Sequence, residues 1–140
     1  MDCHPCFGRG VHPGFSYITG FWITLNSPEI VVCGLQRDQS HDVLASLFDD
    51  FKSGTKHPVG SVNSTILVSH KAFLFRVAKE KYSTHLGWSR WFYNGDNFEC
   101  LQLVWPDPAG TFPWQAGFDN RFRDSQTDLT ENGWTAALAQ

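Results

Sequence analysis

The chain is 140 residues long, 41% hydrophobic and 18% charged, with a formal net charge of −3. That length fits one domain able to bury about two-thirds of its unfolded surface, and the composition excludes a disordered chain. The basic residues are scattered, which argues against nucleic acid as a partner, and no run approaches the roughly 20 apolar residues of a membrane-spanning helix.

Taken from the N-terminus, Met1-Asp2-Cys3-His4-Pro5-Cys6 carries no apolar segment of the kind a secretory signal needs. Cys3, Cys6, Cys33 and Cys100 are too few for a disulfide framework in a chain of this size. Cys33 and Cys100 sit in apolar runs as small hydrophobes. The cytoplasm is the expected location.

Phe15 to Ile23 alternates like a strand, with Tyr17, Thr19 and Phe21 sharing a face with Phe15, and Ile18 and Trp22 on the other. Asn26-Ser27-Pro28 is turn chemistry. Glu29 to Leu35 is a short, β-branched apolar run, expected to form a buried central strand ending at Gly34. Leu44, Leu47, Phe48 and Phe51 then recur at helical spacing, with Asp38 the expected N-cap, Lys52 at the negative end and Gly54 the stop.

A polar connection over 55–65 leads to two strand-like runs, Ile66 to Ser69 and Ala72 to Val77, spaced for a hairpin. Ser83 or Thr84 is placed to cap a short helix through Phe92, closed by Asn94-Gly95, before a last strand from Phe98 to Trp105. The segment from Pro106 to Gln126 reads as coil held by aromatics, and Trp134 to Leu138 as one helical turn at most. The fold class is therefore α+β, a single domain over 1–140, with a mixed or antiparallel sheet, two helices and a long aromatic C-terminal loop. Residues 1–13 and 127–140 are the segments expected to be loose or irregular.

Residues 98–119 hold two of the six Trp, three of the seven Pro and two Asp. Pro and Trp at that density make a stiff loop of large surface, of the kind that recognises something. Trp105, Asp107, Trp114 and Asp119 are its candidate binding residues. The loop is expected to form an outward-facing plate.

Phe15-Ser-Tyr-Ile-Thr-Gly-Phe, Pro28-Glu-Ile-Val-Val-Cys-Gly-Leu, Trp91-Phe-Tyr-Asn-Gly and Gln102-Leu-Val-Trp-Pro-Asp-Pro-Ala-Gly-Thr-Phe-Pro-Trp stand in the order found in a bacterial family known as domain of unknown function 4262. The chain resembles that family from about His12 to about Leu129. A fainter resemblance, carried by Pro-Glu, the apolar strand and Gly-Leu, is to the suppressor-of-fused superfamily, some of whose bacterial members neutralise toxins. The first resemblance implies no activity; the second implies an immunity-like role.

Three departures stand out. The family usually reads Tyr-Thr-Ile-Gly where this chain has Tyr17-Ile18-Thr19-Gly20, which moves the hydroxyl to the opposite face of a strand; either the register differs or the hydroxyl is dispensable, and the second is expected. Ser27 stands where the family often has His. Relatives also usually carry a strand ahead of the first motif, where this chain has about a dozen residues, so a missing strand would leave an open sheet edge.

Cys3-His4-Pro5-Cys6 has the spacing of two corners of a zinc site, but no second pair completes it, and no metal or cofactor is expected. Gly8-Arg9-Gly10 lacks the strand-to-helix context of a phosphate loop. Glu29 is either a carboxylate at a pocket rim or a strand end tying down a neighbouring loop. Gln102 either reads a ligand amide or satisfies nearby backbone. Asp107 and Asp119 either cap their own turns or converge. Trp88, Trp91, Phe92 and Tyr93 form a dense patch expected to be mostly core, with Tyr93 and Trp114 the best placed for a half-exposed wall.

The expectation is a small binding domain without catalysis of its own, recognising a protein partner or small ligand through the Trp105–Asp119 loop with Tyr17, Glu29 and Tyr93 nearby. An immunity-like role is its most specific form. The alternative is a hydrolase-type enzyme whose pocket gathers Tyr17, Glu29, Gln102, Asp107 and Asp119. A homo-oligomer is a further possibility; nucleic acid and membrane are not expected partners.

Overall fold

The computed structural model describes residues 15–67 and 70–138, and of residues 2–6 and Arg37 the backbone alone. Six strands, β1 (Asp2–Cys6), β2 (Phe15–Thr19), β3 (Glu29–Cys33), β4 (Val62–Asn63), β5 (Ala72–Arg76) and β6 (Cys100–Val104), form one sheet in the order β1-β2-β3-β6-β5-β4. The central β3–β6 pair is parallel and every other pairing is antiparallel, so the sheet is mixed. The helices are α1 (Phe21–Leu25), α2 (Arg37–Lys52), α3 (Tyr82–His85), α4 (Gly87–Phe92) and α5 (Trp134–Ala137). This is the expected single α+β domain, with α2 as its long helix and α3–α4 in the place of the expected short one.

Alternation along the strands sorts the core into two layers. Ile18, Ile30, Val32, Leu74, Leu101 and Leu103 face α2, which contributes Leu44 and Leu47. Tyr17, Val31, Cys33 and Cys100 face the other way, against Tyr82 and Leu86 of the α3–α4 segment and Leu129 of the C-terminal segment. Towards the β5 edge this second face carries Phe73, Phe75 and Val104, packed by Phe112, Trp114 and Trp134. A parallel pair covered on both faces needs near-continuous apolar strands, which is what Glu29–Cys33 and Cys100–Val104 supply around one glutamine and one glutamate.

Several boundaries differ from the sequence reading. The first strand stops at Thr19 because Gly20 takes φ 123, and Phe21 to Ile23 continue as α1. Phe21 consequently packs on the α2 face, not beside Tyr17. Gln36 is the N-cap of α2, its amide donating to Gln39 Oε1, and Asp38 lies in the first turn. The partner of β5 is Val62–Asn63, and 64–67 are bends in place of a strand; Val68 and Ser69 lie outside the described residues. The Asn63 amide is drawn back to the carbonyls of Pro58 and Ser61, which holds β4 to a short edge. Leu86 breaks the expected 83–92 helix into α3 and α4.

The strand ahead of the first motif is present: β1 pairs along β2, from Asp2 opposite Thr19 to Cys6 opposite Phe15. The Cys3-His4-Pro5-Cys6 stretch is that edge strand, its side chains outside the described set, as are Gly8-Arg9-Gly10 and His12.

The C-terminal segment is tied to the sheet rather than loose. Gln102, in the middle of β6 and fully buried, donates to the Thr127 carbonyl and accepts from the Leu129 amide and the Trp134 indole N–H. Gln126 repeats the device, bonding both the amide and the carbonyl of Trp105. Replacing Gln102 by Leu keeps the volume but leaves three buried groups unpaired, at about 1–3 kcal/mol for each such group. Gln102→Leu is expected to cost at least about 3 kcal/mol in urea unfolding monitored by tryptophan fluorescence; a loss under about 1 kcal/mol would mean the clamp is not what holds 126–134.

Candidate functional site

Glu29 begins β3 fully buried, with no cation among its described partners. Its carboxylate accepts the amides of Gly20 (2.9 Å) and Phe21 (2.8 Å) and the hydroxyl of Tyr93. Those amides open α1, so Glu29 serves as a remote cap for a helix whose own N-cap residue is a glycine. Burial raises the Glu29 pKa above the ordinary carboxylate value, opposed by the Tyr93 hydroxyl and then by backbone N–H groups. The Tyr93 pKa is raised as well, by burial first and by the neighbouring carboxylate. The Tyr93 oxygen also receives the Ile23 amide at 3.4 Å. One carboxylate thereby joins α1 to the end of α4.

Tyr17 does the equivalent for α4. Its hydroxyl oxygen accepts the Trp88 amide at 3.0 Å, one of the first-turn N–H groups that a helix cannot satisfy internally. Thr19, on the same face of β2, bonds Ser89 hydroxyl to hydroxyl at 2.6 Å. The hydroxyl expected to be dispensable at Thr19 is thus engaged in the interior. Ser89 is fully buried, as is Leu86 before it.

What α4 turns outward is the reverse of the usual arrangement. Trp91 is 70% exposed, Trp88 44% and Phe92 41%, and Ile23 of α1, beside Tyr93, is 67% exposed. The Trp88 and Trp91 rings lie 5.0 Å apart between centroids, and Phe92 meets Tyr93 edge-on at 5.0 Å. Arg90 is folded back onto Asp96 at 2.6 Å. The expectation that this patch is mostly core is therefore corrected: its small polar residue is inside and its indoles are outside. The physical reason is that Leu86, Ser89 and Tyr93 share one stripe and Trp88, Trp91 and Phe92 share another, and the sheet can cover only one.

The Trp105–Asp119 loop is folded onto the body and is not an outward plate. Trp105 and Asp107 are buried. The Trp105 indole N–H donates to the Cys33 carbonyl at 2.7 Å. Asp107 accepts the amides of Ala109, Thr111 and Asp119, which hold its pKa below the usual carboxylate value, the Thr111 amide foremost. Asp119 caps the turn 120–122 through the Arg121 amide and pairs with the Arg121 guanidinium, which lowers its pKa. Trp114 is half-buried against Phe73, Phe75, Phe112 and Trp134.

The sequence-chosen residues therefore fall at two ends of the sheet. Glu29 and Tyr93 lie at the start of β3, whose Glu29 is in register with Cys100; Trp105, Asp107 and Asp119 follow the far end of β6. Five residues of strand separate the ends, roughly 16 Å. Asp107 and Asp119 do meet, but through a backbone amide that closes the loop. Tyr17 and Gln102 lie between the two ends, in one cross-strand row with Val31. Trp88, Trp91, Phe92 and Ile23 were not among the candidates. The signal for them was an excess of large apolar residues in Gly87–Phe92 over what one helical stripe can bury.

Fold and surface together define a small mixed-sheet α+β domain that caps two short helices from its interior and shows an aromatic face. Among the described residues no group of three or more His, Cys, Asp or Glu is placed to hold a metal ion, and no helix is long and apolar enough to cross a membrane. A profile of the domain of unknown function 4262 (DUF4262) matches residues 3–119, and the chain belongs to that family. No curated protein and no solved structure matches it, and the suppressor-of-fused likeness gains nothing from these comparisons.

Glu29 carries a pH signature. Its folded-state pKa lies above its unfolded value, so its contribution to stability is fully present below about pH 4.5 and is lost as pH rises through the folded value. Unfolding free energy measured from pH 4.5 to 8 is expected to fall less steeply in Glu29→Gln than in the wild type. Parallel curves would show that Glu29 is as easily ionised folded as unfolded.

Proposed function

We propose that the protein is a protein-binding domain and that the face made by α4 and α1 is what it presents. The observation that carries this is the orientation of α4, with Ser89 buried and Trp88, Trp91 and Phe92 exposed. Leaving these rings partly exposed forgoes roughly 1–2 kcal/mol of apolar burial for each, a loss a partner can recover. Trp is among the residues that dominate binding energy at protein interfaces, and the Trp88 and Trp91 rings stand side by side here. The face is also held in place before any partner arrives, by Tyr17 on the Trp88 amide and by Glu29 and Tyr93 on α1. Preorganisation of that kind lowers the ordering cost of association.

The setting proposed is the bacterial cytoplasm, to which the buried free thiols Cys33 and Cys100 are suited. An immunity-like role, in which a second protein is neutralised through this face, is the most specific form of the reading.

A photoreactive benzoylphenylalanine in place of Trp91 is expected to give one dominant protein adduct in cells, absent when the probe replaces exposed Lys56 near the end of α2. Trp88→Ala and Phe92→Ala are expected to remove most of that adduct while changing stability by no more than about 1–2 kcal/mol, since each side chain is only about half shielded from water. An adduct of twice the chain mass would identify the partner as a second copy. Equal labelling from both positions, or labelling indifferent to Trp88 and Phe92, would overturn the reading.

A further inference from the structure

The aromatic face offers a partner almost no charge. Arg90 is the one ionisable residue in α1 and α4 together, and Asp96 holds its guanidinium at 2.6 Å. The Tyr93 hydroxyl is turned to Glu29 and the Ile23 amide. Complementary potentials, positive against negative, are what select an unlike partner and reject wrong ones. A neutral face has no such means of selection. It can, however, meet itself about a two-fold axis without setting like charges against each other.

Its size fits the same occupant. Large apolar side chains carry about 150–250 Å² each. With Trp91 70% exposed, Ile23 67%, Trp88 44% and Phe92 41%, the four leave roughly 450–500 Å² in water. A specific association buries at least about 1,000 Å² in total, half of it from each partner, and two copies of this face reach that size. Interfaces between identical subunits are also more apolar than those between unlike proteins, which resemble the rest of the surface.

Trp88 and Trp91 lie side by side along α4, 5.0 Å apart between ring centroids. A two-fold axis crossing the helix between them would pair α4 antiparallel with its copy. The Trp91 of each copy would then meet the Trp88 of the other. Leu86 and Ser89 are buried beneath, so α4 stays seated on the sheet.

We infer that the chain forms a two-fold homodimer through α4 and α1. The inference rests on the protein-binding reading of this face and narrows its partner to a second copy.

The test is sedimentation velocity of the full chain. Wild type is expected to pass from monomer to dimer across about 2–200 µM, the affinity range of a small interface. It is expected to stay dimeric when NaCl is raised from about 50 to 500 mM, because no ion pair crosses the contact. Trp91→Glu should raise the dissociation constant at least about 30-fold, the threshold of an interface hot spot, with an otherwise native ¹H–¹⁵N spectrum. Ile23→Lys, on α1, should act in the same direction, and decides alone if Trp91→Glu does not fold. A wild type still monomeric at about 200 µM overturns the inference. The protein-binding reading survives that result if the Trp91 photoprobe still gives an adduct with another protein, and falls too if no adduct forms. A dimer that persists in the folded variants lies on another surface, such as a sheet edge, and overturns the inference as well. So does a dimer that the added salt dissociates.

Discussion

A glutamine can stand in the middle of a fully covered strand only if its amide is completely occupied, and that requirement organises this molecule. Gln102 lies in β6 between the parallel neighbour β3 and the antiparallel neighbour β5. Its oxygen and nitrogen reach across the sheet face to the Leu129 amide, the Thr127 carbonyl and the Trp134 indole. Unmet, the amide would cost the sheet what a lost interior hydrogen bond costs; met, it converts a C-terminal segment with one short helical turn into a cover for the second core layer. Leu129 and Trp134 are buried on that face because the glutamine brings them there.

The same logic is repeated with charge at the start of β3. A buried carboxylate without a cation is unfavourable unless hydrogen-bond donors replace the lost water. The Glu29 donors are two amides at the positive end of α1 and one phenol, a set that disperses the charge and fixes two helices at once. Tyr17 supplies an acceptor to α4 in the same way. Helices of five and six residues have no stability of their own in water. Here they exist because side chains from the sheet finish their first turns.

Those interior roles explain which parts of the chain could be read in advance. Glu29–Cys33, the α2 periodicity of Leu44, Leu47, Phe48 and Phe51, and the last strand were legible because apolar spacing maps directly onto burial. The end of β2 was not, since Phe21 and Trp22 continue the alternation and only the backbone of Gly20 announces the change to helix. The candidate residues were chosen as polar groups in apolar company. For Glu29, Gln102 and Asp107 that pattern marks polar groups occupied inside the fold as readily as it marks a site. Distinguishing the two takes the partners, and these are far away in sequence: Gly20 for Glu29, Thr127 for Gln102, Asp119 for Asp107. The aromatic surface was hidden for the opposite reason. Two stripes of α4 were both plausible interiors, and the choice between them was made by Thr19, which offers a hydroxyl to Ser89 from another strand.

That choice bears on what the surface can do. Rotating α4 to bury Trp88 and Trp91 would gain a few kcal/mol of apolar burial. It would also strand the Thr19 and Ser89 hydroxyls and withdraw Leu86 from the core, losses of similar size in total. The exposed indoles are therefore held outward by a balance among interior bonds, on a short segment pinned at Leu86, Trp88 and Ser89. A surface fixed in that manner is already ordered, so association through it would not spend burial energy on ordering. Substituting Ser89 tests a different link from substituting Trp91: the first alters how the face is held and the second what the face offers.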